Sequence, residues 1–86
     1  MKIFFHRNFK KQFKKLKDGE KRKFREKIKL FVNNPFNPIL NNHQLHGKRK
    51  DYRSINVTGD LRAVFKSIGN DAAIFIAIDS HSNLYS

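Results

Sequence analysis

The sequence predicts an α+β fold of order β-α-α-β-β-β, a mostly antiparallel sheet with a helical hairpin packed on one face. Three observations predict it. Apolar residues recur with helical period through roughly the first 32 positions, the period drops to two after Asp51, and turn residues then space the strands as hairpins.

Lys2-Ile3-Phe4-Phe5 reads as a short strand, because aromatic and β-branched side chains suit a half-buried pleat. From Asn8, an expected helix cap, Phe9, Phe13 and Leu16 fall on one helical face, with Lys10, Lys11, Lys14, Lys15 and Lys17 around the other. Asp18-Gly19 is the expected stop. A second helix runs from about Glu20 to Val32, with Phe24, Ile28, Phe31 and Val32 as its stripe. Asn33-Asn34-Pro35 ends it, since a proline disfavours helical geometry in the residue before it. The segment to Asp51 has little periodicity and reads as a long loop pinned by Phe36, Ile39, Leu40 and Leu45. Tyr52–Val57 alternates, Thr58-Gly59-Asp60 turns, and Leu61–Lys66 returns. After a turn at 67–71, the apolar run Ala72–Ile78 reads as the central strand. No helix is expected after it, and no boundary divides residues 1–86 into more than one domain.

Burial in 86 residues is limited, so the nine phenylalanines matter to the core. There is no cysteine, which excludes disulfides and thiolate zinc sites. No run is long enough to span a membrane and Met1–Arg7 has no signal-peptide core, so a soluble cytoplasmic protein with no membrane partner is expected. The charge is lopsided. Nineteen Lys and Arg stand against seven acidic residues, and 13 of the basic ones lie within residues 1–32, along with three of the acidic ones. Such a surface attracts a polyanion or an acidic protein.

The remaining polar residues cluster. The loop holds His43, His46, Lys48, Arg49 and Lys50, the hairpin holds Arg53, Asp60 and Arg62, and the tail holds His81 and Tyr85. Cleaving RNA by transesterification requires a base for the 2′-hydroxyl, an acid for the leaving 5′-oxygen, and cations for the non-bridging oxygens. Histidine suits the proton roles, and the planar guanidinium fork suits phosphate. Blander readings stand beside this one: Asp60 as a turn residue, Arg62 as a solvated strand position, His6 as surface decoration. His43 and His46 lack a nearby third ligand at a signature distance, so no metal or other cofactor is expected. From the residues alone the outcome is a basic RNA-binding α+β domain with the groups for catalysis.

The ordered set His43-Gln44-Leu45-His46-Gly47, Asp51–Val57, Gly59–Lys66 and Asp79–Tyr85 resembles the RelE/ParE toxin superfamily, nearest its YafQ-like messenger-RNA interferases. The resemblance spans essentially the whole chain, so residues 1–86 would be a single RelE-like toxin domain. It implies a metal-independent endoribonuclease of a bacterial type II toxin–antitoxin system, cutting mRNA on the ribosome by 2′-hydroxyl attack. It also implies a cognate antitoxin, expected to be acidic, in a hetero-oligomeric complex. Carried across by position, His43, Asp60 and His81 match proton-transfer or RNA-positioning residues. Arg62 matches the phosphate-contacting arginine and Tyr85 the C-terminal aromatic, where stacking on a base is implied. His46, Lys48, Arg49, Lys50, Arg53 and Asn56 would bind RNA. Asn56 stands where this branch often has another histidine; asparagine cannot shuttle a proton, which leaves His43, His46 and His81 for that work. Two other readings remain open: a ParE-like gyrase-inhibiting toxin and a non-catalytic basic RNA- or ribosome-binding protein.

Overall fold

Phenylalanine sets the layers. Phe75 is fully buried, and the rings of Phe5, Phe9, Phe24, Phe31 and Phe65 surround it at centroid distances of 5.2 to 6.2 Å. Such rings bury large areas and gain further from edge-to-face contact. In the computed structural model, which describes residues 1–85 with side chains through Leu84, these rings join two helices to one sheet. The elements are β1 (Lys2–Phe5), α1 (Arg7–Lys14), α2 (Asp18–Asn33), β2 (His43–Gln44), β3 (Arg53–Asn56), β4 (Leu61–Ile68), β5 (Ala72–Ser80) and α3 (His81–Tyr85). Short 3-10 turns occupy Pro38–Leu40 and Gly47–Arg49. The sheet order is β1-β5-β4-β3-β2, with β1 parallel to β5 and every other pair antiparallel. The α+β class, the helical hairpin and the strand sequence therefore agree with expectation.

Four local features differ. Asn8 is not the cap of α1; His6 is, its Nδ1 accepting the Asn8 N–H at 3.0 Å. Asp18 and Gly19 do not end a helix but open α2, where the Glu20 carboxylate accepts the Lys17 N–H at 2.9 Å. An acidic first turn suits the positive end of the helix dipole, which outweighs the weak helix propensity of one glycine. The aperiodic loop contains β2, too short for periodicity to reveal. The tail after β5 forms α3, one turn that burial of Leu84 supports.

The register of β5 decides which residues face which way. Val64 pairs with Ala77 but Phe65 pairs with Phe75, so Ile76 is an extra residue, a bulge. Before it Ala73 and Phe75 enter the helix-covered core; after it Ile78 does. An unbroken alternation would have put Ala77 and Asp79 there instead. The bulge lies where β1 runs out: the His6 N–H still reaches the Phe75 carbonyl at 2.9 Å, but β1 pairs with β5 no further than Phe75. Side chains of α1 replace it. Asn8 Nδ2 donates to the Ile76 carbonyl and Gln12 Oε1 accepts the Ile78 N–H, each at 2.9 Å.

Removing that acceptor strands a part-buried N–H. Gln12→Ala is expected to destabilise by about 1–3 kcal/mol, and Gln12→Glu, which keeps an acceptor there, by less. Urea unfolding of both variants measures this; equal midpoints would deny the bond its role.

Candidate functional site

Cross-strand partners project to the same face of a sheet. His43, Ser54, Val64 and Ala77 therefore form one row, and Asn56, Arg62 and Asp79 the next. Val64 packs with Leu45 and Leu84, apart from the phenylalanine core, so both rows lie on the face that α1 and α2 leave open.

On that face the loop and the tail meet. A cleft of about 520 Å³ is lined by His43, His46, Lys48, Arg49 and His81 together with Gln44, Leu45 and Leu84. Three imidazoles and two cationic side chains thus share one wall-to-wall space, although 35 residues separate His46 from His81 in sequence. Leu45 and Leu84 form its apolar floor.

The orientation of His43 is set locally. Its Nδ1 lies 2.8 Å from the Asn41 carbonyl oxygen. A carbonyl only accepts, so Nδ1 carries the proton and Nε2 is the nitrogen left to exchange one. Asn41 adopts the left-handed conformation, with φ 47°. That turns the chain out of the 3-10 turn into β2 and brings its carbonyl onto the ring. Nothing in the helix or strand pattern marks Asn41, beyond asparagine's tolerance of this conformation.

The other residues divide. His81 opens α3, and its N–H donates to the Asp60 carbonyl at 2.8 Å, which ties the hairpin turn to the tail. Asp60 itself is exposed in that turn, its N–H on Thr58 Oγ1. The Arg62 guanidinium folds back over the same turn, donating to the carbonyls of Thr58, Leu61 and Gly59 at 2.9 to 3.2 Å. Asn56 lies beside Arg62 in register, its Oδ1 buried without a protein partner. Arg53 is elsewhere. It pairs in register with Phe65 on the helix side, donates from Nε to Asn42 Oδ1 at 2.7 Å and lies over the Phe36 ring. Lys50 does not line the cleft; its carbonyl accepts from the Gln44 amide at 2.6 Å. Arg49 lines the cleft but also donates from Nη1 to the Leu84 carbonyl. The Tyr85 side chain lies outside the described residues. Among the described residues no three His, Asp or Glu side chains are grouped as metal ligands would be.

The helices present most of the charge. Among the described residues, the ion pairs are Lys23 with Glu26, on a mostly exposed helix face, and the N-terminal ammonium with Asp71. The positive potential of α1 and α2 is therefore left almost uncompensated. Among the described residues, no helix is long and apolar enough to cross a membrane.

This sheet, its open face and its helical hairpin are those of RelE-like toxins. YafQ from E. coli strain BL21(DE3) has the same fold, with a TM-score of 0.79 and 23% identity over 98% of this chain and 97% of that one. The E. coli DinJ–YafQ complex matches with a TM-score of 0.76 at 23% identity, covering 98% of this chain and 97% of that chain. The RelB–RelE antitoxin–toxin complex of Methanococcus jannaschii matches at 0.75 and 20%, covering 95% and 94%. Among curated proteins none matches the sequence. The family model for YafQ, the bacterial toxin of a type II toxin–antitoxin system, matches residues 1–86, and the chain belongs to that family.

The left-handed Asn41 generates a test. Asn41→Gly is expected to keep both fold and tautomer, whereas Asn41→Val, β-branched at positive φ, should cost about 1–2 kcal/mol. Nitrogen-15 spectra of the His43 ring should show Nδ1 protonated in the wild type and in Asn41→Gly. An unprotonated Nδ1 in the neutral wild-type ring would contradict the assignment.

Proposed function

We propose that this toxin is a metal-independent endoribonuclease that cuts messenger RNA on the ribosome, with His43 and His81 as its proton-transfer pair. The observation that carries the reading is their shared cleft, together with the Asn41 carbonyl that leaves His43 Nε2 as the basic nitrogen. In the proposed step Nε2 of His43 takes the 2′-hydroxyl proton and the 2′-oxygen bonds to the adjacent phosphorus. The bond from phosphorus to the 5′-oxygen breaks, and that oxygen leaves with a proton from His81. The products are a 2′,3′-cyclic phosphate and a 5′-hydroxyl. Attack and departure are thereby assisted without free hydroxide or alkoxide.

The surroundings support the charge changes. Lys48 on the cleft wall and the guanidinium N–H groups that Arg62 does not spend on its own turn would stabilise the non-bridging oxygens. Asp60, whose carbonyl accepts the His81 N–H, would hold the start of α3 and with it the His81 ring at the cleft. Asn56 and His46 would contact RNA, and Tyr85 would stack on a base. The lysines of α1 and α2 would grip ribosomal RNA, and the protein would then act in the cytoplasm, where translation occurs. The same surface would receive an acidic antitoxin; YafQ and RelE are themselves found in complexes, with DinJ and RelB.

Induction should arrest growth, with cuts in translated messages mapped by primer extension. His43→Ala and His81→Ala are each expected to lower cleavage about 10²- to 10⁴-fold. Uncut messages alongside inhibited gyrase supercoiling would favour a ParE-like toxin instead, and a phenotype indifferent to His43, His46, Asp60 and His81 would favour a non-catalytic binder. Ribosome association should weaken by about 10³-fold or more between 50 and 200 mM salt if several phosphates are contacted. Salt-insensitive binding would rule out the electrostatic account.

A further inference from the structure

The last helix is too short to hold itself. Isolated helices below about 12–15 residues are marginal in water, and α3 has 5. Its N-terminal end is well tied. Asp79 Oδ1 accepts from the Ser80 N–H at 2.7 Å and the Asn83 amide at 3.0 Å, Ser80 Oγ accepts the Asn83 N–H at 3.2 Å, and the His81 N–H reaches the Asp60 carbonyl. At its far end the last carbonyls lack a partner inside the helix, as at every helix end. There Leu84 packs on Leu45 and Val64, and its carbonyl accepts from Arg49 Nη1.

We propose that Arg49 is a positioning residue that clamps α3 to the loop, so that His81 faces His43 and His46 across the cleft, rather than an RNA ligand. The consequence for cleavage rests on the ribonuclease reading; the clamp itself does not. Gly47, left-handed at φ 67°, sends the chain into the 3-10 turn that ends at Arg49, while Arg49 itself is exposed. A cation at a helix C-terminus is favoured by both the carbonyl bond and the helix dipole. Arg49 borders both the histidine cleft and the smaller space beside Asn8, Tyr52, Val64 and Leu84. It therefore sits where loop and tail join. A guanidinium held by a backbone carbonyl has fewer donors for phosphate, and geometry lost at the joint moves His81 away from its partner.

Arg49→Ala and Arg49→Lys separate the two roles. Hydrogen exchange of the 81–84 amides should quicken in Arg49→Ala while β4 and β5 amides keep their wild-type rates. Turnover at saturating programmed ribosomes should fall by at least about tenfold, since small misplacements of catalytic groups are costly. Affinity for an uncleavable 2′-deoxy message and its salt slope should stay as in the wild type. Arg49→Lys, which retains a charged donor, should recover part of both exchange protection and turnover. Weaker RNA binding with a salt slope reduced by about one, and turnover at saturation intact, would make Arg49 a phosphate contact and overturn the clamp. Unchanged exchange in α3 would overturn it as well. If the wild-type protein cut no RNA, the ribonuclease reading would fail while the exchange rates still decided the clamp.

Discussion

The bulge at Ile76 is the constraint on which the rest of this molecule depends. A strand with an unbroken alternation would bury either Phe75 and Ala77 or Ile76 and Ile78; the extra residue lets Phe75 and Ile78 both enter the core. The phase change also puts Asp79 on the open face, one position before the residue that caps α3. A bulge leaves backbone groups to satisfy, and here β1 has already ended. Asn8 and Gln12 supply the partners, so α1 serves as a polar edge to the sheet as well as an apolar cover.

From that constraint the site follows in two steps. The hairpin turn at Thr58–Asp60 is drawn tight by Arg62 and Thr58, and its carbonyl at Asp60 receives the first N–H of α3. The loop before β3 is fixed from its other side, where Asn42 meets Arg53 and Asn41 aims its carbonyl at His43. Neither segment forms the cleft alone. Their meeting places His43, His46 and His81 on one cleft, with the small apolar contact of Leu45, Val64 and Leu84 beneath. Charge has a separate address: the lysine-rich helices lie on the opposite face of the sheet, so the long-range positive potential and the histidine cleft belong to different layers.

Much of this was legible in the residues. Phe9, Phe24 and Phe31 announced the helical hairpin, the alternation from Tyr52 onward announced the strands, and the gathering of loop and tail polar groups pointed to one site. The misreadings share a cause. Asn8 looked like a helix cap because asparagine caps helices, yet its amide is spent on Ile76, 68 positions away. Asp18-Gly19 looked like a stop because glycine ends helices, yet the Lys17–Glu20 bond and the helix dipole make the same residues a start. Arg53, expected to bind RNA, and Arg62, matched to the phosphate-contacting arginine, both sit in alternating strands, yet Arg53 lies on the helix side. Which face each occupies follows from register, and register depends on partners.

What the sequence by itself determined is the part governed by local period and composition: the element types and their order, the aromatic core, the cationic helices, and the supply of imidazoles and guanidiniums. Tertiary structure decided the rest. Only the β5 bulge makes Ile78 core and Asp79 surface, only the Asn41 carbonyl selects the nitrogen of His43, and only the packing of Leu84 and the bond from Arg49 turn the last residues into a helix facing the loop. Each of these is a contact between segments that a local pattern does not encode, because its energy exists only once both partners are in place.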